Sequence, residues 1–176
     1  LDAVLDDTMA ALIVEPVQGM AGARDCSPEF LAAARRLCTE RGIALLFDEV
    51  QCGVGRSGAF TAAELYGVAP DGLTLAKGLG SGYPIGAVVA GPMLATGIGV
   101  GDLGSTFGGG PVACAAALAT LSVIADEDLI GNAARVGAHI AAGARALGAR
   151  KVWGRGLLLG LDFGRSAKGL QQALFA

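Results

Sequence analysis

The apolar residues of this chain fall into short unbroken runs and longer stretches with helical spacing. Residues 10–14 form one unbroken run, stopped by Glu15-Pro16, and proline does not continue a central strand. Ser27-Pro28-Glu29 then offers a capping serine with proline at the first helical position. Phe30, Leu31, Ala34, Leu37 and Cys38 follow at helical spacing, and Gly42 supplies the stop. Residues 43–47 are a second apolar run, ending at Asp48-Glu49. Strand, helix and strand in this order make a β-α-β unit, so the expected class is α/β with a mostly parallel sheet and flanking helices. Residues 61–66 read as a short helix and 73–76 as a third strand ending at Lys77. A fourth run, 84–90, is reached through the short turn at 78–83, which fits an antiparallel strand. Helices are predicted over 111–124 and 128–147, then strand, glycine turn and strand over 151–163. Residues 171–176 read as a helix with no stop signal, and the chain opens on Leu1, so it reads as a piece of a longer protein. The charge cluster Asp126-Glu127-Asp128 is the expected boundary between a large domain, 1–126, and the start of a small α+β domain, 127–176.

Hydrophobic residues make up 53% of the chain, enough for a sizeable core. The 29 glycines are roughly twice the usual share of about 7%, and they cluster after the apolar runs, where tight turns and close ligand approach occur. Net charge is −3 with no basic run, which argues against a nucleic-acid partner. Cys26, Cys38, Cys52 and Cys114 show no C-x-x-C spacing, and His139 is the lone histidine. No metal site and no disulfide framework is expected, but buried free thiols in a reducing cytosol. Without a basic leader or an apolar run of about 18 residues, the reading is a soluble cytoplasmic protein with no membrane partner.

Three strands end in side chains able to do chemistry: Glu15, Asp48 and Lys77. In open α/β sheets, ligands bind beyond the carboxyl ends of the strands. A lysine closing a buried strand is costly unless paired or neutral, and desolvation favours the neutral amine that Schiff-base chemistry needs. The glycines of Gly78-Leu79-Gly80-Ser81-Gly82 leave room for a flat cofactor. Asp48 admits two readings. It is the partner of Lys77 in a structural ion pair of a cofactor-free binding domain, or both residues serve one heteroaromatic ring. In the second case the carboxylate keeps a ring nitrogen protonated, so that the ring withdraws electrons, as pyridoxal phosphate does.

Three other motifs lead nowhere. Residues 43–49 resemble a Walker B strand, but no phosphate-binding G-x-x-x-x-G-K-[ST] accompanies it. Gly53-Val54-Gly55-Arg56-Ser57-Gly58 matches the dinucleotide fingerprint in letters. It is set off from the strand by Asp48-Glu49-Val50-Gln51-Cys52, whose acids repel a pyrophosphate. No G-x-S-x-G elbow occurs, and His139 sits in an alanine-rich helical run as a surface or structural residue.

Four motifs appear in order: Ile13-Val14-Glu15-Pro16-Val17-Gln18-Gly19, Phe47-Asp48-Glu49-Val50-Gln51-Cys52 with the glycine loop after it, Thr74-Leu75-Ala76-Lys77-Gly78-Leu79-Gly80, and Gly104-Ser105-Thr106-Phe107-Gly108-Gly109. Together they resemble the class-III aminotransferases of pyridoxal-phosphate fold type I, most of all the acetylornithine/ornithine branch, up to Arg155-Gly156-Leu157-Leu158-Leu159-Gly160. The resemblance implies that 1–126 belongs to the large domain that binds pyridoxal 5'-phosphate. It implies a Schiff-base and proton-shuttling role for Lys77, and a partner for the pyridinium nitrogen in Asp48. Val50 would pack on the ring face and Gln51 would bond the ring hydroxyl. Ser105 and Thr106 would reach the cofactor phosphate of the neighbouring subunit of a homodimer with shared sites, and Glu15 would lie close by. The implied reaction moves an amino group from an ω-amino donor, such as acetylornithine or ornithine, to 2-oxoglutarate, an amino acid and a 2-oxo acid being the small-molecule partners. Racemisation or decarboxylation with the same cofactor is the alternative. Two residues depart from the family pattern: Met20 stands where a glutamate is usual, and Gly110 where an asparagine is usual.

Overall fold

A computed structural model describes residues 1–6 and 8–175. Its elements are β1 (Ala11–Val14), β2 (Val17–Gln18), β3 (Arg24–Asp25), α1 (Pro28–Arg41), β4 (Ala44–Asp48), α2 (Ala62–Tyr66), β5 (Gly72–Leu75), β6 (Ala87–Ala90), α3 (Pro92–Ala95), α4 (Pro111–Asp126), α5 (Leu129–Ala146), β7 (Lys151–Arg155), β8 (Leu158–Asp162) and α6 (Lys168–Leu174). A 3-10 turn, Lys77–Leu79, follows β5. The main sheet runs β1-β4-β5-β6. Its first three strands are parallel, and β6 is antiparallel to β5. This is the α/β class with a mostly parallel sheet that the apolar runs predict.

Local chemistry sets the β1-α1-β4 unit. Ser27 Oγ accepts the Phe30 N–H at 3.1 Å, Pro28 opens the helix, and Gly42 closes it at φ 67°. The buried stripe Leu31, Ala34, Leu37 and Cys38 packs on Ile43, Leu45 and Phe47, the inward residues of β4 and its approach. Leu31, Leu45 and Phe47 are fully buried. The Arg35–Asp71 ion pair at 2.8 Å ties α1 to the entry of β5, and Asp71 Oδ2 also accepts the Leu45 N–H.

A second core gathers Val54, Leu75, Leu79 and Ala117. It fastens α4 to the turn that carries Lys77. In α5 the buried residues are Ala133, Gly137, Ala141 and Ala144. This small-residue stripe lets the backbone of Gly156, in the β7–β8 turn, approach so closely that a Cβ on Gly137 would overlap its carbonyl.

The structure departs from the sequence reading in places. The fourth strand starts at Ala87, not residue 84, because 80–86 are spent on the turn and Pro84 has no N–H for the ladder. The β2–β3 hairpin, with two residues per strand, and the four-residue α3 are too short for a periodic signal. The expected helix near the end runs over Lys168–Leu174, and Ala176 lies outside the described residues. Cys38 and Cys52 are buried free thiols as expected. Cys114 is exposed on α4 and Cys26 is half-buried, which corrects the expectation of four buried thiols.

Candidate active site

Parallel pairing brings three strand ends to one edge. Val14 is in register with Phe47, so Glu15 follows β1 beside Asp48, the last residue of β4. Asp48 is in register with Thr74 of β5, three residues before Lys77. Each carboxylate is anchored by its own neighbourhood. Glu15 Oε2 accepts the Gly19 N–H at 3.2 Å. Asp48 Oδ1 accepts the Val50 N–H at 3.0 Å and the Thr74 hydroxyl at 3.2 Å. Among the described residues Asp48 Oδ2 has no partner, and Lys77 forms no ion pair. The Asp48–Lys77 ion pair that the sequence allowed is therefore not formed in this structure.

Lys77 does not close its strand, as the apolar run implied. Strand β5 ends at Leu75, and Lys77 opens the 3-10 turn at φ 43°, exposed. A lysine in the left-handed region is strained by roughly 1–2 kcal/mol. The turn persists because Leu79 is buried in the second core and its N–H bonds Ala76 O at 2.9 Å. The desolvation expected for this amine does not come from this chain's own residues. What the chain supplies is an accessible amine in a left-handed turn, three residues past the β5 position that stands in register with Asp48.

The two acids at the end of β4 have opposite environments. Glu49 is fully buried, and its carboxylate caps α2, accepting the Ala62 N–H at 2.5 Å and the Ala63 N–H at 3.0 Å. Burial pushes its pKa up, against those two hydrogen bonds, and Glu64 adds to the rise. Its own N–H bonds Thr74 O at 3.0 Å. Glu49 thus pins both ends of the segment that carries Val50 and Gln51. Gln51 lies against the backbone of Gly19, where any Cβ would overlap its carboxamide. Burial also pushes the neighbouring Cys52 thiol up to about 12, with Glu49 adding to the shift, so it stays a neutral core residue.

The loop 53–58 serves packing. Ser57 Oγ donates to Cys52 O at 2.7 Å, and Arg56 O accepts the Leu157 N–H at 2.9 Å from the β7–β8 turn. A Cβ on Gly156 would come within 2.5 Å of Ser57 C. The glycines of this loop face packed protein atoms, Gly53 the carbonyl of Glu49, Gly55 the side chain of Ile130 and Gly58 that of Ala134, which explains why the dinucleotide fingerprint matches only in letters.

Glu15, Asp48, Gln18 and Ile13 border a cavity of about 450 Å³, and Gln51, Gly78 and Arg56 border another of about 520 Å³. Lys77 borders neither. Ser105 and Thr106 lie apart from both cavities in the exposed stretch before α4, where Ser105 Oγ accepts the Gly108 N–H at 3.0 Å. Val50 is half-buried and Met20 is 89% exposed. The sequence reading missed Thr74 and the capping role of Glu49. The signals were there: a lone polar residue inside Leu73-Thr74-Leu75, and two adjacent acids that strand alternation sends to opposite faces.

The family model for aminotransferase class-III matches residues 1–174. The chain belongs to the class-III aminotransferases. It is 44% identical over 174 residues to an acetylornithine aminotransferase of Archaeoglobus fulgidus, covering 99% of this chain and 46% of the relative. The structure of an acetylornithine aminotransferase from Elizabethkingia anophelis overlays with a TM-score of 0.85 at 37% identity, covering 94% of this chain and 43% of that one. An amine transaminase from an uncultivated Pseudomonas species, solved in its PLP-bound form, overlays with a TM-score of 0.81 at 41% identity, covering 88% and 38%. This class-III chain spans between 32% and 46% of the length of the curated relatives it matches. Among its described residues no helix is long and apolar enough to cross a membrane, and no group of metal-binding side chains gathers.

Proposed function

We propose that the protein is a transaminase dependent on pyridoxal 5'-phosphate, taking an amino group from an ω-amino donor of the acetylornithine or ornithine type and passing it to 2-oxoglutarate. The observation that carries this reading is the parallel register that sets Asp48 beside Thr74, three residues before the accessible, strained Lys77, with one Asp48 oxygen uncommitted. The donor set fits the cofactor: an amine for its aldehyde carbon, a carboxylate oxygen for its ring nitrogen, and no competing ion pair between them among the described residues. When bound, the cofactor would supply an electron sink for the amino-bearing carbon of the substrate. Lys77 Nζ would be the group that accepts and carries the proton of that carbon. Asp48 Oδ2 would hold the ring N–H. Val50 would pack on the ring face, Gln51 would bond the ring hydroxyl, and Glu15 would line the substrate side.

Ser105 and Thr106 serve the cofactor phosphate of a second subunit in this reading. Val100, Leu103 and Phe107 around them are almost fully exposed, an apolar stretch of the kind that a cytoplasmic homodimer covers. Residues 1–126 form the cofactor domain and 127–176 begin the small one.

The test is Lys77→Ala in the complete protein. It is expected to abolish the absorbance near the visible edge and to lower glutamate formation from acetylornithine and 2-oxoglutarate by roughly 10³-fold or more. An unchanged spectrum refutes the assignment. Amino-acid turnover without glutamate formation favours racemisation or decarboxylation instead.

A further inference from the structure

Asp48 is held from two directions. Its Oδ1 accepts the Val50 N–H, two residues on in its own chain segment, and the Thr74 hydroxyl from the next strand. The carboxyl torsion of an aspartate is broad and poorly staggered, so an unanchored Asp48 would sample a range of carboxylate planes. Val50 alone bonds one oxygen without fixing the carboxylate plane. A second donor from a different strand does fix it, because rotation then breaks one bond or the other. Thr74 suits this task. Its β-branched side chain is stiff at χ1, it stands in register with Asp48, and the strand fixes its backbone. With Oδ1 carrying two donors, Oδ2 is left as the uncommitted oxygen.

We propose that Thr74 is a positioning residue, which locks the Asp48 carboxylate through Oδ1 so that Oδ2 is the oxygen presented to the cofactor's ring nitrogen. This rests on the reading of Asp48 as the partner of that nitrogen. No contact of Thr74 with the cofactor is required.

Two cofactors separate the possibilities: pyridoxal 5'-phosphate and its 1-deaza analogue, in which carbon replaces the ring nitrogen. Dissociation constants are measured by absorbance titration of the complete apoprotein. Thr74→Val keeps the shape and removes the donor. It is expected to weaken pyridoxal 5'-phosphate by about tenfold, the scale of one hydrogen bond to a charged group, and to leave the deaza analogue nearly unaffected. Thr74→Ser, which restores a hydroxyl, is expected to recover most of the loss. Thr74→Ala, which cannot overpack, should show the same discrimination as valine. Equal weakening of both cofactors would overturn the proposal, since a merely structural role damages both alike. Asp48→Ala tests the underlying reading separately. If it fails to discriminate between the two cofactors, the role of Asp48 itself is wrong. If it discriminates and the Thr74 variants do not, only the role of Thr74 falls.

Discussion

Residues 49–62 and residues 91–110 each follow a strand of the same sheet, and each carries groups proposed to touch the cofactor. They are built in different ways. The first stretch is closed by long-range ties: Glu49 to the start of α2, Glu49 N–H to Thr74 O, and Arg56 O to Leu157 N–H. The hydrogen bonds around Ser105 are local, such as Gly108 to Ser105 and Gly99 to Asp102, and Phe107 is 91% exposed. Buried polar groups that are all satisfied hold one arrangement, because every alternative leaves one of them unpaired. Apolar side chains held only by local turns carry no such penalty for moving. The chain therefore fixes by itself the stretch proposed to meet the cofactor ring, and holds the stretch proposed to meet its phosphate by local turns alone.

That contrast can be broken most strongly at Glu49. Glu49→Ala strands the Ala62 and Ala63 N–H groups and should cost about 3 kcal/mol, read from the urea midpoint of the protein. A loss below about 1 kcal/mol would show that water replaces the carboxylate and that the loop is not locked. Gly156→Ala pushes a methyl into the backbone of Ser57 at φ 53° and should cost about 2 kcal/mol. Circular dichroism melts should show it, with no matching loss for Gly143→Ala, at an exposed position inside α5 where a Cβ meets nothing and the backbone is helical.

The pH dependence is a finer probe of the same locked stretch. Burial holds the Glu49 pKa above its ordinary value of 4.5. Below that value the group is protonated in both states. As pH rises through it, the unfolded chain ionises first, so stability falls until the folded chain ionises too. Wild type should therefore lose stability relative to Glu49→Gln as pH rises from about 4.5, and parallel urea midpoints across that window would remove the assignment. The smallest effects belong to the other stretch. Ser105→Ala and Thr106→Ala should each change stability by no more than about 0.5 kcal/mol. A larger cost in either would mean that the stretch is packed in solution.

The sequence carried most of the fold. Ser27, Pro28 and Gly42 bound α1 by local rules, and the unbroken runs before Glu15 and Asp48 place two parallel strands without reference to distant contacts. The order of motifs carried the family. Less legible were elements held by contacts far apart in the chain. The β2–β3 hairpin has no periodicity and is held partly by Trp153, whose indole N–H donates to Gly22 O, and by the Asp25–Arg155 ion pair at 2.9 Å. Cys114 read as buried because cysteines usually are, but its place on α4 faces away from the core.

Composition, spacing and turn chemistry determined the class of fold and the strand ends that carry Glu15 and Asp48, because each depends on near neighbours in the chain, and the resemblance of four ordered motifs pointed to the family. Only the tertiary structure decided that Thr74 bonds Asp48, that Glu49 turns inward to cap α2, and that Lys77 sits in a strained turn outside its strand. Those outcomes depend on register between strands and on where buried polar groups find partners, and neither is written in local order.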